Sequence, residues 1–311
     1  MWSRRWKAAA ARLVLIAAAL FCTSSIAGAQ VGIELLSGVG YHSTGAGPSF
    51  LLGAELATTS RTGNFFSGYQ ESRLALHLSD VFSLDGSAST YTVGVEGTWQ
   101  RRQGAVQLAT EANVHFRYGA SGWARSAGIG GGGATGRIRG SFRVDYVENA
   151  DWVFPWFQKD LNGVAPRGED KPFYRATANL SALVLPAYNL TWSQEIRWRR
   201  PVDERSGNLA MATGPEFRVG IGRLSTQAGV LLSPDGIKPI GQIRYDLREA
   251  TSRINFQVTA ATASLESDGP VVYGWLDFES EGLGFATAVR LEQSESGSLS
   301  PAVYFSIQPK F

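Results

Sequence analysis

Beyond residue 30 the chain repeats one pattern, apolar and polar residues alternating with a period of two. Val106–Tyr118 sets Val106, Leu108, Thr110, Ala112, Val114, Phe116 and Tyr118 against Gln107, Ala109, Glu111, Asn113, His115 and Arg117. Ile138–Tyr146 sets Ile138, Gly140, Phe142, Val144 and Tyr146 against Arg139, Ser141, Arg143 and Asp145. Tyr188–Arg199 does the same, with only Gln194 breaking its apolar face. A period of two puts each set on one face of a β-strand and excludes an amphipathic helix. Twelve further segments obey the rule: 31–43, 49–59, 69–79, 88–101, 172–184, 214–222, 224–232, 238–247, 252–263, 271–280, 283–293 and 300–311. Residues 122–129 form a weaker one. A tilted strand needs about 9–11 residues to cross a bilayer, which these segments supply.

A soluble sandwich or propeller also alternates, so two further features decide between the classes. First, the polar faces carry charges in mid-segment, while the apolar faces are aromatic near their ends, at Tyr91, Trp99, Tyr118, Tyr146, Tyr174, Tyr188, Trp198 and Trp275. Aromatic girdles at two membrane interfaces have this form. Second, short connections (Ser280–Gly282, Arg248–Ala250, Gly222-Arg223, Pro186) interleave with long ones (Ser294–Leu299, Leu265–Pro270, Arg200–Ala212, Glu148–Lys171). Short periplasmic turns and long outer loops are the habit of a transmembrane barrel. The expected fold is therefore all-β, a transmembrane antiparallel up-and-down β-barrel of about 14–16 strands. With both termini on one side the count is even, and residues 122–129 bring it to sixteen. Fourteen follows if that segment or 224–232 is not a separate strand.

Residues 1–29 read as a signal peptide, ahead of a barrel spanning 30–311. Arg4, Arg5, Lys7 and Arg12 give a basic start, Leu13–Phe21 is apolar, and Ala27-Gly28-Ala29 offers a small-x-small cleavage site. Lys7 and Ala8 follow the Arg4-Arg5 pair where a twin-arginine signal needs apolar residues, and Phe21 is too bulky for a lipobox before Cys22. Cleavage removes four basic residues of 29, leaving 25 against 27 acidic ones. A net charge of that sign withdraws the electrostatic basis for nucleic-acid binding. It also removes the single cysteine, and with it any disulfide framework or thiolate metal site. The remaining chain, with 36 glycines and only 18% charged residues in the whole sequence, is not that of a disordered protein.

The chain ends with Val303, Phe305, Ile307, Pro309 and Phe311 on one face. This resembles the C-terminal signal of Gram-negative outer-membrane β-barrel proteins, whose last strand closes on phenylalanine. The resemblance implies an outer-membrane location, passage by periplasmic chaperones, and recognition of Val303, Phe305, Ile307 and Phe311 by the barrel-assembly machinery. Pro309 departs from the pattern, and no specific family is identified.

The function implied is a porin-like channel for passive diffusion of small polar solutes or ions, with outer-membrane lipid and lipopolysaccharide around it. Its expected pore lining is Glu111, His115, Arg117, Arg137, Arg139, Arg143, Asp145, Glu195, Arg197, Arg199, Glu216 and Arg218. Rings of charge of this kind orient solutes and bias ion selectivity. The longest connection carries Asp151, Trp152, Phe154, Trp156, Phe157, Lys159 and Asp160, a candidate constriction loop or, alternatively, an outer loop over the rim. Gly128, Gly130 and Gly133 fit G-x-G-x-x-G, but the segment after them has period two rather than 3.6, so a flexible turn is expected instead of a nucleotide site. No cofactor, metal or catalytic residue is implied. His42 and Ser43 faintly resemble the site of outer-membrane phospholipases, a weak hydrolase alternative requiring a lipid-facing pair. A structural or partner-binding barrel with a plugged lumen is the other alternative.

Overall fold

The computed structural model describes residues 30–42, 47–64, 68–83, 89–119, 122–148, 172–220, 222–249, 254–262, 270–279, 283–293 and 299–309. The expected signal peptide, the segment Asp151–Asp160, Ser43 and Phe311 lie outside these. Among the described residues there are sixteen strands. The first eight are β1 (Gln30–His42), β2 (Gly47–Asn64), β3 (Gly68–Ser83), β4 (Ser89–Gln103), β5 (Val106–Gly119), β6 (Gly122–Ala134), β7 (Ile138–Val147) and β8 (Phe173–Leu185). The second eight are β9 (Leu190–Pro201), β10 (Asn208–Val219), β11 (Gly222–Ser233), β12 (Gly236–Glu249), β13 (Ile254–Ala261), β14 (Val271–Glu279), β15 (Leu283–Gln293) and β16 (Leu299–Pro309). Each pairs antiparallel with the next, and β16 returns to β1 through Val39↔Ile307 and Tyr41↔Phe305, closing the barrel. Closure leaves no edge strand, so ladder N–H and C=O groups find partners within the sheet.

Burial is inverted relative to a water-soluble protein. The buried set is largely polar and includes His77, Ser79, Thr92, Asp145, Ser193, Glu195, Arg199, Ser225, Gln242 and Thr259. The exposed set is apolar: Leu108, Val114 and Phe116 on β5, Ile129 on β6, Phe142 and Val144 on β7, Leu180 on β8, Trp192 and Ile196 on β9. On these strands the polar face is mainly interior and the apolar face outward. At one rim the outward face becomes aromatic, with Tyr118 against Trp123 at 5.1 Å and Tyr146 against Tyr174 at 5.3 Å between ring centroids. Arg200 stands over Tyr174 and Trp198 at 5.7 and 5.6 Å. Trp275 pairs in register with Gln257 and Ala288.

Three connections differ from the sequence-based expectation. The run Gly128–Gly133 is not a turn but the interior of β6, which extends from 122 to 134. Its glycines are held extended by full ladders to β5 and β7. β10 begins at Asn208, not 214, because Ala210, Met211 and Ala212 continue the ladder with Arg197, Ile196 and Glu195; the expected connection Arg200–Ala212 shortens accordingly. The turn placed at Gly222-Arg223 falls just before them, where Gly220 takes a φ of 59° that side chains disfavour. β2, β3 and β4 also outrun a bilayer crossing. Their extension is held by Arg61 Nε donating to Glu71 at 2.6 Å, by Gln100 donating to Glu71 at 3.2 Å, and by the Tyr69 hydroxyl on the same carboxylate.

Candidate functional site

The interior wall from β5 to β9 is organised by transverse rows, in which one residue of each strand stands beside the next. One row reads Glu111, Gly130, Arg143, and its neighbour reads Asn113, Gly128, Asp145, Arg175. Two ladder steps separate β5 from β7, roughly 9.5 Å. A side chain on β6 would fill that gap, but glycine leaves it open. Arg143 Nη1 therefore crosses β6 to donate to Glu111 Oε1 at 2.5 Å, while its Nε donates to Asp145 Oδ1 at 2.8 Å. Arg175 donates to the other Asp145 oxygen at 2.7 Å. A Cβ at Gly130 would stand 2.8 Å from Glu111 Oε1, and one at Gly128 would stand 2.8 Å from Asn113 Oδ1 and overlap Asp145. Both positions need glycine for close approach rather than for backbone freedom. One strand further on, the Arg199 guanidinium covers the Phe173 ring at 4.2 Å.

A second network occupies β2 to β5. Glu55 accepts from Arg73 and faces His77 Nδ1 at 3.0 Å; His77 Nε2 lies 3.6 Å from Glu96. Here too a glycine sits mid-row, in His77, Gly94, His115, and the two imidazoles lean over it with centroids 6.3 Å apart. These acidic residues and His77 were missed by sequence reading. The signal available was their parity, since Glu55, His77 and Glu96 all share the polar alternation of their strands.

Further toward the ends β7 leaves and β8 reaches, the interior face frames a cavity of ≈ 440 Å³. Strands β5 to β12 contribute, which brings Arg139, Glu195 and Glu216 together with Ser141, Asn179, Ser193, Gln227, Arg244 and Asp246. Three carboxylates there are each held by an arginine: Glu195 by Arg197 at 2.8 Å, Glu216 by Arg223 at 3.2 Å, and Asp246 by Arg244 at 2.8 Å.

Of the residues expected in the lining, Glu111, Arg143 and Asp145 fall in the bridged rows, His115 in the second network, and Arg139, Glu195 and Glu216 at the cavity. Arg197 pairs Glu195, and Arg199 stands on Phe173. Arg218 is on the same face at the end of β10, donating to the Gly220 carbonyl at 3.3 Å. Arg137 sits in the turn between β6 and β7, and Arg117 pairs in register with Thr92 and Ala124. Val303, Phe305 and Ile307 pair with Val289, Thr287 and Phe285. His42 occupies the register set of Glu34 and its partner Glu55, opposite to the exposed Ile33 and Val39.

At the aromatic rim, Arg125 makes a two-pronged contact with Glu148 at 2.8 and 3.0 Å, and Tyr146 donates to the same carboxylate at 3.1 Å. The hydrogen bond from Arg125 is the main reason that Glu148, outside the strands, is held below the usual carboxylate range.

No family model matches the chain, and no curated protein does. Among solved structures it is similar to CdiB from Acinetobacter baumannii, at 11% identity and a TM-score of 0.42, covering 90% of this chain and 60% of that one. It is also similar to a triple mutant of the Rhodopseudomonas blastica porin, at 10% identity and a TM-score of 0.41, covering 91% and 100%. A third is OccK7 (OpdD) of Pseudomonas aeruginosa, at 12% identity and a TM-score of 0.40, covering 92% and 99%.

Proposed function

We propose that the protein is a bacterial outer-membrane channel through which small polar solutes or ions diffuse passively. The observation that carries this reading is the inverted burial of a closed sixteen-stranded sheet, apolar outside and charged within. An apolar exterior suits lipid, and sixteen strands enclose more room than their own side chains fill. The aromatic rim with Arg125 and Arg200 suits the headgroup level, where lipopolysaccharide would lie. Residues 1–29 then serve as the export signal, and chaperones and the barrel-assembly machinery act on the last strand, where Val303, Phe305 and Ile307 would be read. The lining is the polar set named above, with charge distributed in pairs. The segment Asp151–Asp160 narrows the passage in this reading.

A plugged barrel that binds a partner through its loops is the second reading. It is favoured by apolar residues on the interior face that are nearly inaccessible: Val147 with Phe173, and Leu231 with Ile240. Single-channel recording on the processed chain in a planar bilayer decides between them. Stable conductance supports the channel, and deletion of Trp152–Asp160 should raise it. A folded barrel, shown by heat-modifiable gel migration, that conducts nothing would leave the plugged barrel standing.

A further inference from the structure

The cavity framed by β5 to β12 is selective in its chemistry, and this inference rests on the channel reading. Its carboxylates are neutralised in place: Arg197, Arg223 and Arg244 each hold one, so Glu195, Glu216 and Asp246 present no uncompensated charge. Arg139 also lines it, is exposed, and has no carboxylate partner among the described residues. Around Arg139 stand neutral hydrogen-bonding groups. Ser181 is its ladder partner on β8, Ser141 and Asn179 form the next pair, and Ser193 and Gln227 face them, joined by a 2.9 Å hydrogen bond. Gly132, beside Ser141, adds no side chain and leaves that part of the wall recessed.

One unpaired guanidinium with hydroxyls and amides on one side describes a definite ligand. A guanidinium binds a carboxylate through two parallel N–H···O bonds. Hydroxyl and amide groups exchange hydrogen bonds with alcohols, and reject an apolar solute because burying them unpaired is costly. We infer that this cavity is a binding station for small polyhydroxylated monocarboxylates, with Arg139 holding the acid group and the Ser141, Asn179 and Gln227 side chains holding the hydroxyls.

The test uses gluconate as probe, with glucose and acetate as comparators lacking the acid or the hydroxyls. Gluconate should block the potassium chloride current of the wild-type channel in a concentration-dependent way, and each comparator should need roughly tenfold more, glucose for want of the charge-assisted contact and acetate for want of the hydroxyl hydrogen bonds. Arg139→Gln should raise the half-blocking gluconate concentration by about tenfold relative to its own open current, and Arg139→Lys should recover part of it. Calorimetric titration of gluconate into the detergent-folded barrel gives the same comparison without conduction. Equal block by gluconate and glucose, or an Arg139→Gln channel blocked like wild type, would overturn the inference while leaving the channel intact. Gluconate binding by calorimetry in a barrel that does not conduct would keep the station and remove the channel.

Discussion

The two interior networks solve one geometric problem differently. Each has a glycine in the middle of a transverse row, Gly94 between His77 and His115, and Gly130 between Glu111 and Arg143. Over Gly94 two imidazoles approach without closing, and the carboxylate contacts run between directly adjacent strands, Glu55 to His77 and Glu96 to His77. Over Gly130 the long arginine side chain closes the gap, so β5 is tied to β7 past the strand between them. Reach and charge separate the cases. Imidazole is short and stops near the midline, whereas guanidinium is long, always charged and able to serve two carboxylates together. A bare strand becomes a bridge only when one flanking residue is long enough to span it.

If this account is right, the largest effect should come from filling the bridged gap. Gly130→Val places atoms between Glu111 and Arg143, and should cost about 3–4 kcal/mol, an overpacked row together with the loss of a partly exposed ion pair. Urea unfolding in lipid vesicles measures it, and an unchanged midpoint would mean that the tie contributes nothing. Next, Asp145→Ala strips Arg143 and Arg175 of a shared carboxylate and should cost about 3 kcal/mol. Glu55→Ala should cost only about 1–2 kcal/mol, because the Arg73 it strands is partly exposed and His77 keeps Glu96. Reversal of that order would break the comparison. Gly94→Ala should cost about 1–2 kcal/mol, because the His115 ring beneath its Cβ can swing toward the lumen. The ring resonances of His115 should move with it.

The smallest effect belongs to the rim. Glu148 has its carboxyl held low by Arg125, so their contact stabilises the folded state above the ordinary carboxylate range and fades as pH falls through the depressed value. The difference in thermal midpoint between wild type and Glu148→Gln should be present at neutral pH and vanish in strong acid. A difference that grows in acid would reverse the sign and refute the pairing.

Much of this fold is legible in the sequence because a barrel wall has one simple rule, which β5 and β7 obey and β9 breaks only at Gln194. Strand parity narrowed the count to fourteen or sixteen, and favoured sixteen because the long connection between β7 and β8 can leave on the outer side only if 122–129 is a strand. What hid was β6 beyond Ile129. Glycine is ordinarily turn punctuation, and nothing near Gly130 in sequence shows that Glu111 and Arg143 lie on either side of it. That juxtaposition joins residues far apart in sequence and exists only in the folded register. Pro215, with small residues before it, likewise hid the first half of β10. The cavity was out of reach for the same reason: Arg139 reads as one of many inward arginines until the partners of Glu195, Glu216 and Asp246 are known, leaving it without one.

The glycine strand also says something about how this protein can change over generations. Glycine is the smallest residue, so any missense mutation at Gly128 or Gly130 adds bulk, and none can be undone by a smaller neighbour on the same strand. Drift is therefore confined to the reaching residues, and a lineage that shortens Arg143 first would free β6 to acquire side chains. The order of those events is one-way: the arm must go before the gap can be filled.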